Sequence, residues 1–342
     1  MMKMWKKAVL AAALLTAAFT AAGCGGGDKA GSAAAGGKVT LKMATALPAN
    51  HPLVKELESM KQKVAEKTNG TVDINIYPAG QLYNDKNMND AVMSGGVDMG
   101  LNSTGRWASV IPAMDVFDLP FLFPTYESEG KAVDNGLSEK LGGELEKKGV
   151  RPLVWVDYGT VHFGNNVREI KTPEDMKGLK MRGYSKYSSE TLKALGASPV
   201  TMGAGEVYLA IQRGTIDGQI SGTTAMRDRK MYEVHKYLTF CNLAAPEMLI
   251  TINEKSYNKL SDSQKKALND VSKEVQASIR ANSKKEDLKA LDDLKNLGMD
   301  VYEVPQDQLG QWRDATKSVL DLFVKENGQL GQELLDICKK QQ

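Results

Sequence analysis

The sequence predicts an α/β fold in which a mostly parallel sheet is covered by helices, in more than one structural unit, crossed by one long helix. Three observations predict it. Residues 39–102 alternate strand-like and helix-like segments in the order β-α-β-α-β, which favours parallel strands joined by helical crossovers. A second alternating run begins at Tyr126 with different content, and a chain of 342 residues has room for about two domains. Finally, Asp262–Leu297 is 36 residues without Pro or Gly, rich in Lys, Glu, Ala and Leu. A helix of that length spans about 54 Å at 1.5 Å per residue, more than one domain of this size, so it should run across two lobes.

The elements follow in order. Val39–Thr45 places Val39, Leu41 and Met43 on one face of a strand. Pro52–Asn69 sets Leu53, Leu57, Met60 and Val64 at helical spacing and stops before Gly70. Val72–Tyr77 alternates again until Pro78-Ala79-Gly80 breaks it; Asn84–Ser94 reads as a helix and Val97–Asn102 as a short strand. Tyr126–Lys148 reads helical and Arg151–Asp157 as a strand. Thr172-Pro173-Glu174-Asp175 has a helix start's N-cap and first-turn proline. Leu179–Gly183 reads as a strand, Ser188–Leu195 as a helix closed by Gly196, Glu206–Arg213 as another helix and Met248–Asn253 as a late strand. In the long helix Leu268, Val271, Val275 and Ile279 form the apolar stripe, and its charges a solvated face. Val301–Val304, Gln306–Glu326 and Leu330–Lys339 complete the chain.

The first residues read as a targeting segment. Lys3, Lys6 and Lys7 precede the apolar run Ala8–Ala22, whose 15 residues are too few for a membrane span. Ala21-Ala22-Gly23-Cys24 resembles the lipobox of bacterial lipoproteins, in which Cys24 would carry a lipid and become the mature N-terminus. The Gly/Ala/Ser-rich residues 24–37 then form a flexible tether. The expectation is a signal peptide over 1–23 and an extracytoplasmic body, at the periplasm or cell surface, held to a lipid bilayer through Cys24.

The formal net charge is +2, from 44 Lys+Arg and 42 Asp+Glu. Removing the segment with its three Lys leaves 41 against 42, so the mature body stands at −1. Such a balance argues against nucleic-acid binding. Three Cys exclude a disulfide scaffold, and Cys241 and Cys338 read as buried thiols in apolar surroundings rather than as a bridge. There is no G-x-S-x-G, H-E-x-x-H, C-x-x-C, P-loop or strand-following G-x-G-x-x-G, so the sequence supports no catalytic residue, metal or cofactor.

The informative segment is Lys177–Gly222. Arg182 falls near the carboxyl end of a strand that leads into a helix, the edge at which open α/β sheets bind ligands. A guanidinium there offers two parallel donors to a carboxylate, although an Arg in such a place also serves as an ordinary ion pair.

The same segment resembles the substrate-binding proteins of tripartite ATP-independent periplasmic (TRAP) transporters, the C4-dicarboxylate-type family. Lys177-Gly178-Leu179-Lys180-Met181-Arg182, Gly196-Ala197-Ser198-Pro199 and the run from Glu206 through Tyr208 and Gln212 to Asp217-Gly218-Gln219 match its motifs in order. Phe117-Asp118-Leu119-Pro120-Phe121-Leu122-Phe123 and Tyr77-Pro78-Ala79-Gly80-Gln81-Leu82 match upstream. The resemblance implies a periplasmic-binding-protein-like fold of two α/β lobes joined by hinge strands. It also implies Arg182 as the carboxylate-binding residue, closure around an organic anion and docking on a membrane permease. On this reading lobe I is 38–157 plus about 247–285, and lobe II 158–246 plus about 286–342.

Departures from the family pattern narrow the ligand. Val161 stands where acidic-sugar-binding members carry a second Arg, Ile220-Ser221-Gly222 follows Gln219 where Glu-Asn-Pro is common, and Ala204 replaces an aromatic. The remaining expected contacts are Gln219 and Ser221, Asn102, Ser103, Arg106 and Trp107 after the third strand, and Tyr158, Tyr184 and Tyr187 in the second lobe. One Arg with several aromatics points to a monocarboxylate with an apolar body, such as a 2-oxo or hydroxy acid or an aromatic acid. Two other functions fit the sequence less directly: the ligand-sensing partner of a signalling receptor, and an extracytoplasmic enzyme on the same scaffold. The second would need an acid/base pair in the cleft. Glu206 instead reads as a helix-start residue and Asp217-Gly218 as turn chemistry.

Overall fold

A computed structural model describes residues 37–341; the expected signal segment and Cys24 lie outside the described residues. The first sheet begins as read. Strand β1 (Val39–Thr45) pairs in parallel with β2 (Val72–Tyr77) across helix α1 (Pro52–Lys67), in a register that sets Leu41 beside Ile74 and Met43 beside Ile76. Pro52 opens α1 beneath His51, whose Nδ1 accepts from the Leu53 N–H at 3.1 Å. Asn69 and Gly70 turn left-handed at its end, and the Gly70 N–H reaches the Ala65 carbonyl at 2.7 Å. Helix α2 (Met88–Ser94) starts later than read, because 84–87 form a turn, and leads to β3 (Met99–Ser103) and the single turn α3 (Thr104–Trp107).

The helix expected over 126–148 is broken. Helix α4 (Tyr126–Ala132) is followed by a wide turn in which Gly136 takes φ +135°, and then by α5 (Ser138–Glu146). Strand β4 (Val150–Asp157) ends the first half of the chain. The second half forms another sheet from β5 (Val161–Asn165), β6 (Lys180–Gly183), β7 (Ser198–Thr201), β8 (Gly218–Gly222) and β9 (Tyr237–Ala244), with α6 (Lys186–Ala194), α7 (Val207–Gln212) and α8 (Thr223–Asp228) between them. Strands β5, β7, β8 and β9 are absent from the sequence reading because they are short, carry glycine or proline, or do not alternate. Thr172 and Asp175 do cap each other's backbone, yet only a 3-10 turn, Pro173–Met176, follows.

Strand β10 (Glu247–Asn253) returns to the first sheet, then come α9 (Glu254–Asn258), α10 (Asp262–Asn296), β11 (Asp300–Glu303) and α11 (Leu309–Lys339). The sheets run β2-β1-β3-β10-β4 and β11-β9-β5-β8-β6-β7. Both are mixed rather than mostly parallel: β10 lies antiparallel to β3 and β4, and β5 antiparallel to β8 and β9. A strand that crosses from one sheet and returns reverses direction without needing a helical crossover. Every residue of β10 is buried, with Leu249 in one apolar cluster and Ile250 and Ile252 in the cluster on the other face.

Helix α10 spans both sheets, as its length implied. Its 35 residues cover about 52 Å. Leu268, Val271, Val275 and Ile279 pack under the first sheet, Leu291 and Leu294 against the second. Between them the buried Asp287 holds the point where the chain crosses from β4 to β5. It accepts from the Thr160 N–H at 3.1 Å, from the Tyr126 hydroxyl at 2.5 Å and from the Thr223 hydroxyl. Gly159, at φ +100°, lies in the same crossing, and a side chain there would press on that carboxylate. Helix α11 kinks at Gly328. Trp312 stacks on Phe163 of the second sheet, but Val319, Phe323, Leu334, Leu335 and Cys338 pack in a first-sheet cluster, although 286–342 was read with the second lobe. Cys241 and Cys338 are both buried free thiols, and burial pushes Cys338 up to about 12.

A second buried acidic group lies at the return crossing. Glu247, the first residue of β10, sits opposite Asp157, the last of β4, and beside Glu129 of α4. Arg280 of α10 bonds Asp157 at 3.3 Å and Asp134 at 2.7 Å, leaving all four oxygens of Glu129 and Glu247 without a donor among the described residues unless one carboxyl is protonated. Burial, and next the neighbouring carboxylates, hold both groups well above the ordinary carboxylate range. A carboxyl raised in the folded state stabilises the fold at low pH and loses that contribution as pH rises. Between pH 5 and pH 8 the melting temperature of the wild type should therefore fall relative to that of Glu247→Gln, which stays neutral at this position, because the other titrating groups act equally on both proteins. Equal pH slopes in calorimetric melts of the two proteins would contradict the assignment.

Candidate functional site

The carboxyl ends of β1, β3, β6 and β8 meet the two crossings at one cleft, the place expected for ligand in open α/β sheets. Its empty space, counted to the open mouth, is about 730 Å³. Arg182 enters it from β6, whose neighbour β8 places Gln219 alongside. The guanidinium is 5% exposed and reaches only two carbonyls, Nε to Met202 O and Nη1 to Ile220 O, both at 3.3 Å. It has no ion pair among the described residues, and burial together with the nearby Arg106 lowers its pKa to about 10. Its carbon lies 5.6 Å from the Tyr184 ring centre. The Tyr184 hydroxyl is taken by Asp118 at 2.9 Å, so the ring rather than the hydroxyl faces the cleft.

The opposing wall comes from the first sheet. Asn102 and Ser103 end β3, and both side chains also hold local backbone: Asn102 Nδ2 donates to Asp85 O at 2.9 Å, and Ser103 Oγ caps α3 by accepting from the Arg106 N–H at 3.3 Å. Arg106 pairs with Asp85 at 2.8 Å and also donates to Met202 O at 3.1 Å. One carbonyl of the second lobe thus receives the free arginine of its own side and the paired arginine of the other. Tyr158, at the β4–β5 crossing, stacks on His51 at 6.1 Å, and Gly222 has no room for a side chain beside its ring. Burial pushes the Tyr158 phenol up to about 12, so it stays a neutral donor.

Eight of the ten expected contacts (Arg182, Arg106, Asn102, Ser103, Tyr158, Tyr184, Gln219 and Ser221) line this cleft, and Val161 and Ala204 line it too. Trp107 does not. It is fully buried in the cluster with Phe117 and Trp155, because the single turn of α3 points it away from Arg106. Tyr187 also leaves the cleft, packing edge-on to Phe323 with its hydroxyl on Glu326. Glu206 pairs with Lys86 across the cleft mouth at 2.9 Å, and Asp217 accepts from the Lys180 N–H at 2.7 Å, a structural tie between strands.

The sequence reading passed over Asp85 and Arg229. Arg229 follows α8 directly, beyond the carboxyl end of β8, so the edge rule that selected Arg182 also covers it. It donates at 2.9 Å to the carbonyl of Ala46, just after β1. No histidine lines the cleft, and burial lowers His51, His162 and His235 to about 3, which keeps them neutral. Among the described residues no cluster of His, Cys, Asp and Glu is placed to hold a metal, and no helix is long and apolar enough to cross a membrane.

The sequence profile of bacterial extracellular solute-binding protein family 7 (DctP) matches residues 43–327. The 2,3-diketo-L-gulonate-binding periplasmic protein YiaO of Escherichia coli is 30% identical over 79% of this chain and 82% of its own. The C4-dicarboxylate-binding periplasmic protein DctP of Rhodobacter capsulatus is 31% identical over 78% and 81%. Among solved structures, the sugar acid binding protein DctPAm of Advenella mimigardefordensis, in complex with galactonate, superposes with a TM-score of 0.86 at 25% identity, over 90% of this chain and 100% of that one. A TRAP periplasmic solute-binding protein of Sulfurospirillum deleyianum with bound succinate gives 0.84 at 26%, over 90% and 100%.

Trp107→Ala removes a wholly buried side chain that does not face the cleft, so it should cost about 3–5 kcal/mol of stability. In denaturant unfolding the midpoint should drop accordingly; a midpoint within error of wild type would return Trp107 to the ligand-facing set.

Proposed function

The chain belongs to bacterial extracellular solute-binding protein family 7, and from that premise we propose that its cleft captures an organic carboxylate on Arg182 and delivers it to a TRAP-type membrane permease. The carrying observation is the Arg182 guanidinium, buried at the ligand edge of the sheet with two carbonyls and, among the described residues, no counter-ion. A ligand carboxylate supplies the missing charge and accepts its two parallel N–H donors. Closing the cleft strengthens that pair by excluding water. Leu47, Leu101, Val161, Ala225 and Met248 make the rest of the wall apolar. They favour an acid with an apolar body, a 2-oxo or hydroxy acid or an aromatic acid, and Arg182 acting alone would call for a monocarboxylate.

Closure on the ligand is the proposed mechanism. The lobes would be 38–157 with about 247–285 and 158–246 with about 286–342, the end of α11 packing on the first. The crossing held by Asp287 and Gly159 serves as hinge. The contacts Arg106–Met202, Arg229–Ala46, Tyr184–Asp118 and Lys86–Glu206 all bridge the cleft. A lipid on Cys24 would keep the body near its permease. Binding rather than catalysis fits a wall in which Asp85, the one carboxylate among the described lining residues, is tied to Arg106.

Native mass spectrometry of the purified protein, followed by a thermal-shift screen of carboxylic acids, identifies the ligand. Arg182→Ala should then weaken its binding at least tenfold, since losing one partner of a buried charged pair costs about 2–5 kcal/mol, while the melting temperature of the free protein stays close to wild type. Unchanged calorimetric affinity would overturn the assignment.

A further inference from the structure

We propose that Asp118, outside the cleft lining, is a positioning residue for ligand capture: with Asp115 it forms a proton-sharing pair that fixes Tyr184 beside Arg182 and couples anion binding to proton uptake. The inference rests on the reading that Arg182 anchors a carboxylate.

Asp115 and Asp118 belong to the 3-10 turn Pro112–Asp118 on the first-sheet side, and they are 1% and 2% exposed. Asp118 Oδ1 accepts from the Tyr184 hydroxyl at 2.9 Å. Asp118 Oδ2 and Asp115 Oδ1 have no donor among the described residues, yet the two carboxyls lie within hydrogen-bonding reach of each other. One proton between them satisfies both, whereas two buried anions in contact would repel. Among the described residues no cation is free to replace that proton. The charged groups around the pair are Arg106 of α3, Lys186 of α6 and Glu326 of α11. Arg106 is tied to Asp85 at 2.8 Å, and Lys186 to Glu326 at 2.6 Å. A side chain at Gly105 would collide with Asp118 and Ser185, so α3, the 3-10 turn and the start of α6 close tightly over the pair.

Burial pushes Asp118 up to about 6, against the pull of Ser185, Asp115, Tyr184 and Arg106. Burial, and next Asp118, hold Asp115 well above the ordinary carboxylate range. The pair titrates as a unit. Near neutral pH it holds one proton and one negative charge, and a second proton joins as pH falls through about 6. Tyr184 connects this charge to the site. Its hydroxyl is held by Asp118, and its ring centre lies 5.6 Å from the Arg182 guanidinium carbon. An ionised Asp118 therefore places an anion behind the ring, in a water-poor setting, where it opposes a ligand carboxylate on Arg182. A bound anion in turn raises the proton affinity of the pair. Binding is thus strongest at low pH and weakens as pH rises through about 6.

The test uses the full-length protein with 2-oxobutyrate, 2-hydroxybutyrate and benzoate, acids that are ionised from pH 5.5 to pH 8. Four proteins are compared by calorimetry, with circular dichroism as the folding control: wild type, Asp118→Asn, Asp118→Ala and Arg182→Ala. Asn keeps an acceptor for the Tyr184 hydroxyl without the charge, and Ala keeps neither. Wild-type affinity should fall about three- to tenfold from pH 5.5 to pH 8, as expected for one anion acting across a partly buried site. Binding at pH 6.5, in buffers of different ionisation enthalpy, should take up part of a proton. Asp118→Asn should show a flat profile and no uptake, and Asp118→Ala should bind more weakly than Asp118→Asn at every pH. In the free protein, infrared difference spectra between wild type and Asp118→Asn should show a carboxyl band that titrates near pH 6, a readout that needs no ligand. Equal pH slopes and equal proton uptake in wild type and Asp118→Asn, or no titrating carboxyl difference, overturn the proposal, while weakened binding by Arg182→Ala leaves the Arg182 assignment standing. If Arg182→Ala binds as wild type does, the Arg182 assignment fails instead.

Discussion

A guanidinium buried without a counter-ion is the constraint around which the cleft is organised. Arg182 is 5% exposed and, among the described residues, bonds only carbonyls. A folded chain keeps such a group where something else completes it, because the isolated charge is far costlier than the same charge paired. Its surroundings fit that demand. Strand β8 supplies the Ile220 carbonyl, the loop before α7 supplies Met202, and Tyr184 places a ring near the charge. The opposite lobe sends Arg106 to the same Met202 carbonyl, already neutralised by Asp85.

The scaffold carries a matching device at its crossings. Asp287 of α10 gathers donors from α4, the β4–β5 crossing and the start of α8. A helix that packs its first half under one sheet and its second half under the other makes that carboxylate a common anchor for both lobes. Glu129, Glu247, Asp157 and Arg280 form a separate acidic group where β10 returns. Buried polar groups at chain crossings fit a hinge, since an apolar contact tolerates sliding and a hydrogen-bond set has defined partners.

Much of the cleft lining was legible in the chain because it lies at strand ends. Arg182 follows from its place near the carboxyl end of a strand, Asn102, Ser103 and Arg106 from theirs at and after β3, and Gln219 and Ser221 from the family resemblance. Trp107 failed because a one-turn helix separates neighbours in sequence by about 100°, sending Arg106 to the cleft and Trp107 to the core. Asp85 sits in a loop with no periodic signal, and Arg229 follows a short helix beyond β8, a strand the glycines hide, so the edge rule had no strand end to start from. Likewise β5 and β8 carry Gly164, Gly218 and Gly222, which erase alternation; at Gly218 a side chain would collide with the Gly164 carbonyl.

By itself the sequence determined the α/β class, the first parallel unit, the long helix and its reach, and the arginine at the sheet's ligand edge. Those follow from local periodicity, capping and residue chemistry, which neighbours along the chain decide. Only the tertiary structure decided that both sheets are mixed, that α11 returns to the first lobe, and that Asp85 neutralises Arg106 while Arg182 and Arg229 stay unpaired. Those pairings of charges and strands are settled between segments well separated along the chain, from 21 residues for Asp85 and Arg106 upward, through burial and reach in space, and no local periodicity contains both partners.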